Sequence, residues 1–272
     1  MLDKWVDEIL ADPITKLPAK ESDFPRVGEH VDARVYLRNT PGFKEWQSGQ
    51  DHYEQYESSG VGYRNLVEQY LDEIEYDRPT YEAFRMTGSI LDVGGGSGTV
   101  REFLDPSVQF VSIDPFAKVL EKTPTAKIEA YSCLQQRLNF ICGFSEFLPF
   151  QARTFDWVHM RSMLDHVQVP DLALLEARRV LKQDGRLLIG MHVEGGRTGD
   201  LSWIHLLGSE TRALAGRLGV RRWRDSHVWH PTIKNLRSML GDNGFGVQRE
   251  YWQPHWNNLV VYLEAHLVGW DV

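Results

Sequence analysis

Two cysteines, Cys133 and Cys142, are all that the 272 residues contain, and their spacing matches no zinc or redox pattern. A disulfide framework is thereby excluded, and a reducing, cytoplasmic compartment is expected. No run approaches the roughly 20 apolar residues that cross a bilayer, so no membrane segment is expected. The first residues, Met1-Leu2-Asp3-Lys4-Trp5-Val6-Asp7-Glu8, are amphipathic and acidic, unlike a secretory leader. Positive charge is short where a nucleic-acid partner would need it. Residues 1–85 hold 10 Lys/Arg against 18 Asp/Glu, which accounts for the whole net charge of −8, and the remainder balances at 20 of each. Without a basic stripe to meet phosphates, a nucleic-acid substrate is disfavoured. Compact runs of Asp, Glu and His at ligand spacing are missing too, so no metal is expected.

What is present begins with ordinary globular composition, 42% hydrophobic and 25% charged, on a chain long enough for one α/β domain with additions. The organising stretch is Ser89-Ile90-Leu91-Asp92-Val93-Gly94-Gly95-Gly96-Ser97-Gly98-Thr99-Val100. Its apolar first half reads as a short buried strand, and the glycines permit positive φ and close approach of backbone to a ligand. Ser97 or Thr99 is placed to cap a helix starting near Val100. Such a turn at the carboxyl end of a strand is where open α/β sheets bind nucleotides. A dinucleotide fingerprint is excluded, because its last glycine would fall at Thr99, and a phosphate-binding Walker loop is excluded by the missing lysine.

The acid followed by Gly-x-Gly-x-Gly, here Asp92-Val93-Gly94-Gly95-Gly96-Ser97-Gly98, resembles the first motif of class I S-adenosylmethionine (SAM)-dependent methyltransferases. Asp114, at the end of the next apolar run and 22 positions after Asp92, matches the family acid that grips the SAM ribose, with Pro115 beside it. The stretch 144–150 resembles the family loop that meets adenine, with Ser145 and Glu146 matching its polar positions loosely. Phe155-Asp156-Trp157-Val158-His159-Met160 and the residues after it resemble the fourth motif, whose strand end lies beside the methyl group and places Arg161 near the cofactor. The run 179–189 is similar to the family's helix-turn-strand signature, with Gly185 expected to cap the helix. The resemblance implies a Rossmann-like, seven-stranded, mostly parallel sheet with an antiparallel last strand and helices on both faces. It implies SAM as cofactor, S-adenosylhomocysteine as product and a small-molecule substrate, with a homodimer left open.

Outside that stretch the reading is coarser. Residues 1–50, punctuated by Pro13, Pro18, Pro25 and Pro41, show no sheet-like or helical period and are expected to wrap over another surface. Residues 50–76 turn helical, with Leu66, Val67, Tyr70, Leu71 and Ile74 on one face and Pro79 ending or interrupting the element. Residues 1–87 are therefore expected to form a helical cap on a SAM-binding domain over 88–272. By analogy with the family, Tyr53 and Arg64 are placed near the cofactor and Tyr56 near the substrate. In the helix over 170–181, Leu172, Leu175, Ala177 and Val180 are expected to face in and Glu176 out. An insertion at 194–230 reads as a lid, and its Arg222, His227, Trp229 and His230 are candidate substrate contacts.

Methyl transfer to a hydroxyl oxygen needs a base, and a histidine titrates in the useful range. His166 and His192 fall at carboxyl ends of expected central strands and are the candidates. The expected activity is O-methylation of a small molecule. N- or C-methylation on the same fold, or SAM binding without catalysis, are the alternatives.

Overall fold

The computed structural model describes residues 1–59, 66–199, 229–254 and 260–269. These form one sheet of nine strands: β1 (Arg26–Val27), β2 (His30–Asp32), β3 (Ser89–Val93), β4 (Gln109–Asp114), β5 (Phe140–Cys142), β6 (Phe155–Arg161), β7 (Leu181–His192), β8 (Phe245–Gln253) and β9 (Val260–Leu267). Their spatial order is β1-β2-β5-β4-β3-β6-β7-β9-β8. Strands β2 through β7 pair in parallel, while β1 and β9 run antiparallel to their neighbours. The helices are α1 (Lys4–Ile9), α2 (Phe43–Ser59), α3 (Val67–Phe84), α4 (Lys118–Glu121), α5 (Thr125–Ala130), α6 (Pro170–Val180) and α7 (Ile233–Asp242).

Every residue of β3 is buried, as a strand must be when both faces of a parallel sheet are covered. From β3 the chain steps outward through β4 to β5, then returns to β6 on the other side of β3. Crossovers leave in opposite directions at that reversal, and they open a crevice at the carboxyl ends of β3 and β6.

Seven strands match the expected sheet, antiparallel β9 included, and two were not expected. Residues 26–32 were read as irregular, yet they make a small hairpin that extends the sheet, with Val31 and Asp32 paired to Ile141 and Cys142. Strands of two and three residues are too short to show a period. Nor does the expected boundary at 87/88 divide the core. Val6, Leu10 and Val31 are fully or almost fully buried in the same cluster as Leu91 and Val111.

Four local expectations are corrected. Pro79 does not end its helix, which runs on to Phe84 and buries Asp77, Tyr81 and Phe84, while Leu66 and Leu71 are exposed. After the glycines comes a 3₁₀ turn, Thr99–Phe103, instead of an α-helix, and its N-cap is Gly98 at φ 69° with no side-chain cap. Gly185 caps nothing: α6 stops at Val180, and Leu181 already pairs with Phe155 in β7. The buried face of α6 is rotated, with Leu175 exposed and Glu176 buried. Glu176 goes inside because it is fully matched there, taking Lys16 Nζ at 2.6 Å, Arg179 at 2.8 Å and the Leu148 amide at 2.9 Å.

The insertion leaves and re-enters the fold at one place, where the Glu194 amide donates to Pro231 O at 2.8 Å. Its residues 200–228 lie outside the described residues.

Candidate active site

The glycine turn after β3 is built from three left-handed residues, Gly94, Gly96 and Gly98. At Gly94 the requirement is steric as well as conformational. A Cβ there would stand 2.7 Å from Met163 Cβ, at φ 68°. The turn is tied to β4 from both sides: the Gly94 amide donates to Ile113 O at 2.8 Å, and the Gly96 amide to Asp114 Oδ2 at 3.1 Å. Asp114 Oδ1 takes the Phe116 amide at 2.9 Å.

Above these strand ends lies a cavity that opens to solvent. Gly94, Asp114 and Pro115 form its floor, Phe116, Phe144 and Ser145 one wall, and Met163 and His166 another. Trp46 and Gln50 of α2 also line it. Trp46 meets Phe144 edge-on with ring centroids 5.4 Å apart, and Tyr36 meets the same ring at 5.1 Å. Glu146, buried beneath, accepts the Gln168 amide at 2.9 Å and the Ser145 hydroxyl at 3.0 Å. Burial pushes its carboxyl above the ordinary 4.5, against the pull of those hydrogen bonds.

The sequence-based candidates divide sharply here. Gly94, Asp114, Pro115, Ser145, Glu146 and His166 all come together around the cavity, and Gly96 reaches it through Asp114. Asp92 does not. Its Oδ1 is held by His159 Nδ1 at 2.7 Å, both residues are buried, and Gly95 closes over the carboxylate. Arg161 is committed as well, pairing through both terminal nitrogens with Asp77 at 2.5 and 3.0 Å. His192 is exposed at the end of β7, opposite Val260, and His230 is exposed too. Trp229 packs against the core and donates to Leu164 O at 3.1 Å. Arg64, Arg222 and His227, and the side chains of Tyr53 and Tyr56, lie outside the described residues.

Three contributors went unread in the sequence. Trp46 and Gln50 sit four apart on α2, so they share a face, but the helix was expected to begin only at residue 50. His159, a histidine inside an apolar strand, is recognisable as the partner of Asp92 only once β3 and β6 are known to pair, with Asp92 opposite His159.

Comparison with known proteins agrees with this geometry. Residues 91–189 match the family described as "Methyltransferase domain". This stretch is a class I SAM-dependent methyltransferase domain. An uncharacterized methyltransferase of Schizosaccharomyces pombe is 32% identical over 45% of this chain, and the chain spans about half, 49%, of that relative's length. A ubiquinone/menaquinone biosynthesis C-methyltransferase of Paracoccus denitrificans is 27% identical over 67% of the chain and 74% of its own. The methyltransferase domain also shares its fold with the 1,6-didemethyltoxoflavin-N1-methyltransferase of Burkholderia thailandensis, at a TM-score of 0.53 and 14% identity. That likeness covers 90% of this chain and 100% of the other. That solved structure holds bound 1,6-didemethyltoxoflavin and S-adenosylhomocysteine.

Proposed function

We propose that the protein methylates a small molecule from SAM, with a hydroxyl oxygen as acceptor and His166 as general base. One observation carries the reading: His166, Gly94 and Asp114 line a single cavity at the reversal point of a class I methyltransferase sheet. The donor set suits an adenosyl ligand. Asp114 brings a carboxylate, the group that accepts from a ribose diol, to the cavity lining, Phe116 and Phe144 bring aromatic rings, and the Gly94 backbone admits close approach. SAM, when bound, supplies an activated methyl group on a good leaving group.

The chain's own work is then alignment and proton removal. The cavity walls fix the acceptor in line with the methyl carbon, and most of the rate follows from that placement. His166 takes the hydroxyl proton on a ring nitrogen as the oxygen becomes the nucleophile. The arrangement keeps Asp92 out of cofactor contact, and its part is to support the turn from below through His159. The segment 194–230 is read as the substrate lid, entered and left at Glu194 and Pro231. The two cysteines, buried and free, fit a reducing cytoplasm.

A second reading has support from the Paracoccus relative, whose name is that of a C-methyltransferase. A ring carbon beside a phenolic hydroxyl becomes nucleophilic when that hydroxyl is deprotonated, so the same base serves. A panel of phenols, catechols and enolic ketones offered with methyl-labelled SAM distinguishes the two by the atom that carries label. His166→Ala is expected to lower turnover by about 10²–10⁴-fold with whichever acceptor reacts. Undiminished turnover removes His166 as base. S-Adenosylhomocysteine binding with no transfer to any acceptor turns the reading towards a binding protein.

A further inference from the structure

The turn that carries His166 is gripped from several elements, and the grip nearest the imidazole comes from α2. Trp46 Nε1 and Gln50 Nε2 both donate to the main-chain oxygen of His166, each at 2.9 Å. A carbonyl oxygen offers two acceptor sites, and both are used here by two side chains from one face of one helix. Other parts of the turn are held elsewhere. Leu164 O takes Trp229 Nε1, the Gln168 and Val169 amides go to Glu146, and Gln168 Nε2 reaches Leu37 O. Because a peptide unit is planar, fixing the oxygen of residue 166 fixes the plane that follows its Cα. Turning that plane, and with it the backbone from which the ring projects, would break both bonds to α2 together. The helix is itself anchored: Trp46 packs on Phe144, and Glu54 lies 3.8 Å from Lys118 of α4.

We propose that Trp46 and Gln50 are positioning residues that hold the His166 main-chain oxygen and thereby set the direction of its imidazole into the cavity. The proposal rests on the reading of His166 as the base. It ties the orientation of the base to the position of α2.

The test uses the full chain, labelled with ¹³C in its histidine rings and saturated with S-adenosylhomocysteine. Gln50→Leu and Trp46→Phe remove a donor and keep most of the bulk. The His166 ring resonance is expected to shift or broaden in each, while those of His30, His159, His192 and His266 stay in place. Amides over 163–167 are expected to exchange about tenfold faster, as a locally opened turn does. An unmoved His166 resonance overturns the proposal, as does an equal change at every histidine, which would mean general loosening. Neither readout depends on turnover. A fully active His166→Ala enzyme would therefore discard the base and leave the positioning result to stand or fall separately.

Discussion

Asp92 and Asp114 are both buried carboxylates at neighbouring strand ends, yet their surroundings give them different work. Asp114 lines the cavity and accepts the Gly96 and Phe116 amides. Its replacement by Ala is expected to weaken S-adenosylhomocysteine binding by about 1–3 kcal/mol, read by titration calorimetry. Asp92 faces His159 instead, and the imidazole's other nitrogen lies 3.3 Å from the Tyr81 hydroxyl. His159→Ala would leave a buried carboxylate without its partner. Such a loss costs about 3 kcal/mol or more, and a denaturant midpoint measurement should show it. The glycine pattern reveals that an acid belongs before the turn but not which way it points. That direction is set by a histidine 67 residues further on.

Elements with a clear period were legible, and those without one were not. β3, β4, β6 and α7 fall within a residue or two of where the apolar spacing puts them, because each buries a continuous face. α6 was located correctly but turned about its axis, because Glu176 finds its cation in Lys16, 160 residues away. The β1–β2 hairpin and the early start of α2 were invisible for the same kind of reason: their partners lie in β5 and around His166. Much of the cavity lining was legible, since Gly94, Asp114 and Ser145 follow the resemblance, whereas the part that α2 supplies was not. The glycine turn itself gives a direct check. Gly94→Ala combines a left-handed φ with collision against Met163, and it is expected to weaken S-adenosylhomocysteine binding by more than about tenfold, measured by calorimetry.

For the molecule as a whole, Glu146 links stability to pH. Its carboxyl is held above the ordinary 4.5 by burial, so the folded state binds the proton more tightly than the unfolded chain does. Stability from this group is therefore greatest below pH 4.5 and declines as pH rises through the folded value. Glu146→Gln removes that slope. The melting temperature of the variant, relative to the parent at each pH, is expected to climb between pH 4.5 and neutrality. A difference that stays constant over that range would contradict the assignment.

The small N-terminal hairpin bears on how the protein can be cut. The stretch shared with other methyltransferases begins at residue 91, which invites removal of everything before it. Doing so would strip the outer rim of β5 of its hydrogen-bonding neighbour and pull Val6 and Leu10 out of the interior. A bare sheet margin beside exposed aliphatic surface recruits other chains. The shortened protein is expected to clump, so the first 32 residues are as much a part of the fold as the glycines are.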